Sequence, residues 1–384
     1  MPEPGRGRGH PGSRPARRRA SGSGPGGPSC RGQGPRPGRT GSPRLRAVPP
    51  RVTVVVPNWN TKEFLGPCLR SLRGQTFRDF ETVVVDGAST DGSVEFVGEN
   101  FPEARTIALR ENRGFSGAVN AGIEASEAEF VVLLNNDTEQ DPGWLGTLVR
   151  AAERHPAAGL FASKLVDFRD RNRLDGAGDA LRRSGLPYRL GHGEVDRGQF
   201  EVEEFVFGAC AAAALYRRSV FDEVGLFDED FFAYCEDGDV SFRAQLAGHR
   251  CLYAPGAVVY HVGGASTGGK RSATATRLGT RNGLLLLVKN LPAPLAWRFL
   301  PSIVLGQISR LLVVSLSPGG LRAHLEGLAG AWRLLPKMRE KRRKIQNTRR
   351  VSDAYLRELL VRSSRRAAES RRRRIKDSLQ AGIR

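Results

Sequence analysis

From residue 51 onward, short β-branched runs alternate with stretches of helical periodicity, and no other feature of the chain restricts its fold as much. "RVTVVVPNWN" is an apolar run that stops in turn residues, and "TKEFLGPCLRSLRGQ" follows with Phe64, Leu65, Cys68, Leu69 and Leu72 at helical spacing. "ETVVVDGAST", a helix-like "DGSVEFVGENF", the strand-like "RTIALREN", a small-residue helix "GFSGAVNAGIEAS" and a fourth strand at 129–134 continue the rhythm. Continuously apolar strands separated by helices of 10–15 residues predict a parallel sheet covered on both faces, an α/β architecture.

Sheets of this kind bind ligands beyond the carboxyl ends of their strands. All four ends here are polar: Pro57 to Asn60, Asp86 to Ser89, Glu111-Asn112, and Asn135-Asn136-Asp137. Asn and Asp are ordinary turn and cap residues, which suffices for one strand end. Four such ends on one edge predict a site. No G-x-G-x-x-G follows the first strand and no G-x-x-x-x-G-K-[ST] is present, which argues against a dinucleotide-dependent dehydrogenase and a P-loop NTPase.

A second cluster lies further on. "GLFDEDFFAYCEDGDVSFRAQLAGHR" sets Phe227, Phe231, Phe232 and Tyr234 ahead of the acids Glu236, Asp237 and Asp239. Acids at a helix start complement its dipole, an adequate account of Asp239. The aromatics suggest a walled pocket, in which an apolar setting would raise a carboxyl pKa toward a useful general-base value. Residues 165–203 read as loop-rich, 205–215 as one small-residue strand, and "CLYAPGAVVYHVGG" as a strand ending in His261. A lone histidine there reads either as structural or, with Asp137, as part of a shell for a hard divalent cation.

Taken together, "VVVPNWNTKEFLGPCLRSLRGQTFRDFETVVVDGASTDGS", "NRGFSGAVNAGI", "LLNNDTEQDPGWL" and the acidic-aromatic segment resemble the inverting family 2 glycosyltransferases of the GT-A fold, in particular their rhamnosyltransferase-like branch. The resemblance covers about residues 51–265. It implies a mostly parallel central sheet with helices on both faces. Asp86 would read the nucleotide base, with Pro57, Asn58 and Asn60 lining its pocket, and Asn112, Gly114 and Asn120 near the ribose or sugar. "NND" stands in the place of the family's D-x-D motif, so Asn135 and Asn136 would face the diphosphate while Asp137 holds Mg²⁺ or Mn²⁺. Asp237 would be the catalytic base, supported by Glu236, and His261 is similar to a metal-binding histidine of some members. "DGAST" departs from the commoner Asp-Asn-Gly-Ser-Thr.

The implied substrates are a nucleotide-sugar donor, dTDP-rhamnose or a UDP-sugar, and a glycan or polyprenyl-linked acceptor in cell-envelope polysaccharide synthesis. Two other functions compete: a non-catalytic nucleotide-binding relative, and a nucleic-acid-binding protein acting through basic tails. The formal charge of +20 sits at the ends, with a net +10 in residues 1–47 and +13 in 337–384. The remaining −3 disfavours specific nucleic-acid binding by the folded part.

Residues 1–49, rich in Pro, Gly and Arg, are expected to be disordered and hold no apolar stretch of a secretory signal. A transferase domain is expected at 50–270, a helical membrane-interfacial region at 271–336, and a basic helical or disordered tail at 337–384. "WRFLPSIVLGQISRLLVVSL" is long enough to span a bilayer, but Arg310 would fall inside the span. An amphipathic helix in the interface, backed by the polybasic run, fits better. Five cysteines without metal spacing read as reduced thiols. The expected location is cytoplasmic, peripheral on the inner face of the plasma membrane.

Overall fold

The computed structural model describes residues 49–264 and 272–382. The segment 1–49 expected to be disordered, except its last residue, and Cys30 lie outside the described residues.

The predicted alternation is present. Strands β1 (Val52–Asn58), β2 (Phe80–Asp86), β3 (Arg105–Ala108) and β4 (Phe130–Leu134) alternate with helices α1 (Lys62–Arg73), α2 (Ser93–Asn100) and α3 (Gly114–Glu124). All four strands run parallel, in the order β3-β2-β1-β4. Because successive side chains point to opposite faces, Val52, Val54 and Val56 enter a core beneath α1 and α2, while Val55, Val83 and Val85 meet α3 on the other side.

The second half completes the sheet less regularly. After β5 (Thr138–Gln140) and α4 (Trp144–Arg154) come β6 (Ala158–Asp167), β7 (Leu174–Ala177), β8 (Asp179–Leu181), β9 (Pro187–Arg189), β10 (Glu204–Val206) and β11 (Ala213–Arg217). Helices α5 (Arg218–Val224) and α6 (Glu236–Ala247) precede the long β12 (Arg250–His261). The sheet continues from β4 through β11, β6 and β12 to β10, with β11 and β10 antiparallel to their neighbours and β6–β12 parallel.

Two expectations are corrected. Residues 165–203 contain three short strands, too brief and too polar to show a period. The single strand expected at 205–215 is two strands at separate places in the sheet: β10 pairs with β12, whereas β11 lies between β4 and β6. The chain leaves the sheet at 207–212 to reach the second position, and an unbroken run of small apolar residues conceals that crossing.

Four helices follow: α7 (Ala273–Asn290), α8 (Ala293–Ser315), α9 (Gly320–Asn347) and α10 (Asp353–Gly382). They are not an appendage. Leu285, Leu286, Met338, Leu356, Leu359 and Leu360 share one core with Phe231, Phe242 and Leu246. Residues 337–347 and 353–382 are helical and pack on the domain, where Arg366 pairs with Glu204, Arg373 with Glu194, and Lys341 with Asp228 and Asp230.

A buried ion network ties α7 and α9 to the sheet domain. Asp239 Oδ2 accepts from Arg243 Nε at 2.9 Å and from Lys289 Nζ at 2.8 Å, and its Oδ1 accepts from Asn290 Nδ2 at 2.8 Å. Lys289 Nζ also donates to Asp228 Oδ2 at 2.7 Å. Burial alone would raise the Asp239 pKa, but Lys289 and Arg243 outweigh it and bring it down to about 2. Asp239 is thus structural, as expected, through ion pairs beyond the helix dipole. Removing one partner of a buried pair leaves an uncompensated charge, at a cost of about 3–5 kcal/mol. Lys289→Met should therefore destabilise the fold by that amount in chemical denaturation, and a loss below about 1 kcal/mol would show that the network does not hold the helices.

Candidate active site

The strands of the parallel half end together, and a cavity of about 800 Å³ opens over that edge. It is lined by Pro57, Asn58, Asn112, Gly114, Asn135, Asn136 and Asp137 from the strand ends and α3, and by Glu236, Asp237 and His261 from the second half. The two groups of candidate residues therefore share one cavity although a hundred positions separate Asp137 from Asp237.

Three of the candidates stand elsewhere. Asp86 sits one layer back, where its Oδ2 accepts from Asn58 Nδ2 at 2.8 Å and its Oδ1 from the Ser89 backbone N–H at 2.8 Å. Asn60 is exposed in the turn after β1, with positive φ, and its Oδ1 accepts from the Thr90 N–H. Asn120 is buried under the loop that follows α5: its Nδ2 donates to Phe227 O and its Oδ1 accepts from Phe227 N, each at 2.9 Å. Its amide holds that loop and is not among the cavity's lining residues.

The amides at the end of β4 have two different tasks. Asn136 Nδ2 donates to Asn58 Oδ1 at 2.6 Å and to Thr61 Oγ1 at 2.7 Å, so both of its hydrogens are engaged inside the protein. Through Asn58 and Asp86 it links the ends of β4, β1 and β2. Asn135 faces the cavity instead, with its Nδ2 3.4 Å from His261 Nε2.

Asp137 and His261 meet because β5 pairs antiparallel with the end of β12, setting Thr138 opposite His261. Val262 N donates to Asp137 O, and Gly263 N to Asp137 Oδ2, both at 3.0 Å. Asp137 Oδ1 then lies 3.3 Å from His261 Nε2. On the opposite side of the ring, β7 pairs with β6 and brings Asp175 Oδ2 to 2.8 Å from His261 Nδ1. A carboxylate at Nδ1 holds a proton there, so the neutral ring has its lone pair on Nε2, and with no cation bound that nitrogen readily takes up a proton facing Asp137. Burial lowers the His261 pKa, yet Asp137 and Asp175 more than offset it, so the ring holds a proton more firmly than a free histidine.

Asp175 also accepts from Arg189 Nη1 at 2.9 Å, and Arg189 Nε is 3.7 Å from Asp179. Asp179, Cys210 and Asp237 present ligand atoms within 4.8 Å of one another. The Arg189 guanidinium, which donates to Cys210 Sγ, already supplies positive charge at that cluster. Asp175, Asp179 and Arg189 were not anticipated from sequence. The signal of the two acids was "LDGAGDAL", carboxylates four apart among small residues, within the stretch read as loop; Arg189 had none.

Asp237, the second residue of α6, is partly exposed to the cavity, while Glu236 is more deeply buried. Glu236 Oε2 has no hydrogen-bond partner, and burial together with the Asp237 charge pushes its pKa up to about 8. Burial also raises Asp237, against an opposing pull from Arg189. Burial thus disfavours charge on both carboxyls, and only at Asp237 does Arg189 oppose it. Of the four aromatics, Phe232 and Tyr234 line the cavity; Phe227 and Phe231 are core residues.

Replacing Asp175 by Asn should remove one of the two charges that raise the His261 pKa. In chelator-treated protein the imidazole should titrate at lower pH than in wild type, read from its ring-proton NMR signal; an unchanged midpoint would show that Asp175 does not govern this ring.

Residues 53–225 match the profile of the family described as glycosyl transferase family 2. The N-acetylglucosaminyl-diphospho-decaprenol L-rhamnosyltransferase of Mycobacterium tuberculosis is 30% identical over 237 residues, covering 56% of this chain and 77% of that protein. An uncharacterized protein, y4gI, of Sinorhizobium fredii is 29% identical over 234 residues, 57% of this chain but only 25% of its own length. Among solved structures, S. aureus TarS 1-349 superposes with a TM-score of 0.51 at 17% identity, covering 84% of this chain and 91% of that one. GalNAc-T7 with UDP, GalNAc and Mn²⁺ superposes with a TM-score of 0.50 at 16% identity, covering 63% and 48%. These two likenesses concern the fold, which is of the GT-A type. The chain belongs to glycosyl transferase family 2.

Proposed function

We propose that the chain transfers a sugar, with inversion, from a nucleotide-diphospho-sugar to a hydroxyl of a glycan or lipid-linked acceptor in cell-envelope polysaccharide synthesis. The observation that carries this reading is the placement of Asp137 and Asp237 on one cavity at the sheet edge. The rhamnosyltransferase relative makes dTDP-rhamnose the first donor to test and a polyprenyl-diphospho-sugar the first acceptor; UDP-sugars, UDP-galactofuranose among them, come next.

A divalent cation, Mg²⁺ or Mn²⁺, fits the residues at the Asp137 end. Adjacent ligands of a cation bound at about 2.1 Å lie roughly 3 Å apart, and Asp137 Oδ1 is 3.3 Å from His261 Nε2. The lone pair that Asp175 directs at Asp137 suits a cation between the two. The Asp179–Cys210–Asp237 cluster fits less well because Arg189 stands there. Asp137 and His261 would hold the ion, which when bound supplies positive charge for a leaving diphosphate oxygen.

The chain's own groups account for the rest. Asp237 accepts the proton of the acceptor hydroxyl as that oxygen attacks the anomeric carbon from the face opposite the diphosphate. Burial favours the neutral form of Glu236, which limits the charge beside Asp237. Asp86, through Asn58, shapes the strand-end pocket for the nucleotide.

The outer face of the C-terminal helices supports attachment to a membrane. Helix α8 is long and apolar enough to cross one by length and composition. Part of it nevertheless faces the domain, with Leu295 and Phe299 buried, Gly306 against Ser184 and Arg310 against α7. Trp297, Leu305, Leu312 and Leu316, with Leu325 and Trp332 of α9, are exposed on the outside. A helix held along one side by the domain lies at an interface more readily than it spans. The protein would then sit on the cytoplasmic face of the plasma membrane, beside a lipid-linked acceptor.

General-base catalysis contributes about 10²–10⁴-fold. Asp237→Asn should reduce turnover by at least that range and leave donor binding nearly intact, whereas Asp137→Ala should weaken Mn²⁺-dependent donor binding in calorimetry. In wild type the acidic limb of the rate profile should lie above the ordinary aspartate value of about 3.9, since Asp237 must lose its proton and burial raises its pKa. Near-normal turnover of Asp237→Asn would end the assignment. For the membrane, Leu305→Glu with Leu312→Glu should abolish co-sedimentation with anionic phospholipid vesicles while donor hydrolysis continues; retained binding would exclude this face.

A further inference from the structure

Arg310 is a cation that the reaction described above does not use. It reaches from α8 to the wall of the same cavity that holds Asp237. It is partly buried, its Nε has no hydrogen-bond partner, and no carboxylate pairs with it among the described residues. The other cavity-lining guanidinium, Arg189, is matched by Asp175 and Asp179. The ionisable neighbour of Arg310 on α9, His324, is itself a base, and Arg310 helps to hold its pKa down after burial has lowered it.

Room for the guanidinium is made by two glycines one turn apart on α7. A Cβ at Gly279 would stand 2.9 Å from Arg310 Nη2, and one at Gly283 would stand 3.6 Å from Nη1. A side chain larger than hydrogen at 279 would press on the charged head. Arginine does not give up its proton in proteins, and a part-buried charge without a partner is costly. An anion arriving from outside would remove that cost.

We propose that Arg310 receives the diphosphate of a prenyl-diphospho acceptor, a subsite that deepens the lipid-linked reading above and rests on it. Diphosphate is also the chemistry of the donor, so the source must be argued from position. The donor's diphosphate is assigned to Asp137 and His261 at the strand ends. Arg310 instead belongs to α8, whose outer face carries Leu305 and Leu312, and its inner face approaches Cys235, the residue before Glu236. An acceptor anchored at Arg310 would have its prenyl chain on the apolar outer stripe and its sugar toward Asp237. The planar guanidinium suits two phosphate oxygens at once.

The test uses the full chain and farnesyl diphosphate as probe, with farnesol, inorganic pyrophosphate and UDP with Mn²⁺ as comparison ligands in calorimetry. Arg310→Met should weaken farnesyl diphosphate at least 10-fold and leave farnesol and UDP–Mn²⁺ binding unchanged. Arg310→Lys, which keeps the charge but not the fork, should lose less. Without ligand, the Tm of Arg310→Met should equal or exceed that of wild type, because a charge without a partner has been removed.

Unchanged farnesyl diphosphate affinity in Arg310→Met overturns the proposal, as does a marked fall in its Tm, which would reveal an internal counter-charge. An equal loss of UDP–Mn²⁺ binding overturns it too, since Arg310 would then serve the donor. The transferase reading is judged separately by donor hydrolysis in wild type and Asp237→Asn: its failure would leave an Arg310-dependent prenyl diphosphate site standing, and its success would not rescue a silent Arg310.

Discussion

The position of Asp237 depends on a clamp applied from outside the sheet domain. Asn282 of α7 is fully buried, and the two hydrogens of its amide nitrogen are shared among the carbonyls of Phe231, Ala233 and Tyr234 at 2.8, 2.8 and 2.7 Å. Arg281 adds the carbonyls of Asp230 and Phe231. These bonds hold a stretch in which Phe232, Tyr234 and Cys235 have φ of 63°, 71° and 67°. A left-handed backbone costs a non-glycine residue about 1–2 kcal/mol, so three in four residues would relax if released. On the other side, Ser116 N donates to Phe232 O, and Gly114 allows the approach: a Cβ there would lie 2.5 Å from that oxygen. Strain of this kind persists only where the surroundings over-determine it.

The charges of the cavity form one continuous system. Asp175 Oδ2 receives both the His261 ring and the Arg189 guanidinium, and Arg189 reaches on to Asp179 beside Asp237. The end that would meet a cation and the end that would take a proton are thus coupled through one arginine. This arrangement gives physical sense to the single acid in "NND". Further carboxylates at 135 or 136 would add repulsion to a region that already contains Asp137 and Asp175, whereas Asn136 can tie three strand ends together without charge.

How much of this could be read in advance follows from how local each determinant is. The apolar runs of β1, β2 and β4 reveal themselves because strands buried on both faces leave no polar interruption, and the ends of such strands are where sites form. The Glu236-Asp237 pair was legible as acids behind aromatics. Asp175, Asp179 and Arg189 were not, since they sit on strands of three or four residues, too short to display a period. The bonding of Asn120 was not legible for a related reason: an amide in a small-residue helix looks the same whether it faces a ligand or a backbone, and here it bonds that of Phe227. The departure "DGAST" has a visible consequence, as Ala88 occupies a φ of +63° at the place where the commoner pattern has glycine.

Helix α7 also gives the C-terminal helices their bearing on chemistry. One part of it grips the loop before Asp237 through Arg281 and Asn282; Gly279 and Gly283 receive Arg310 of α8; Lys289 and Asn290 lock its end to Asp239 on α6. The outward apolar stripe of α8 and α9 is therefore registered to the cavity through a single rigid helix rather than through a flexible tether. On the proposed reading this matters more than affinity for the membrane. A surface anchor on a loose tail would only raise the local concentration of acceptor, whereas an anchor built on α7 also fixes the direction from which the acceptor hydroxyl approaches Asp237, and orientation of that sort removes a large entropic part of a bimolecular barrier.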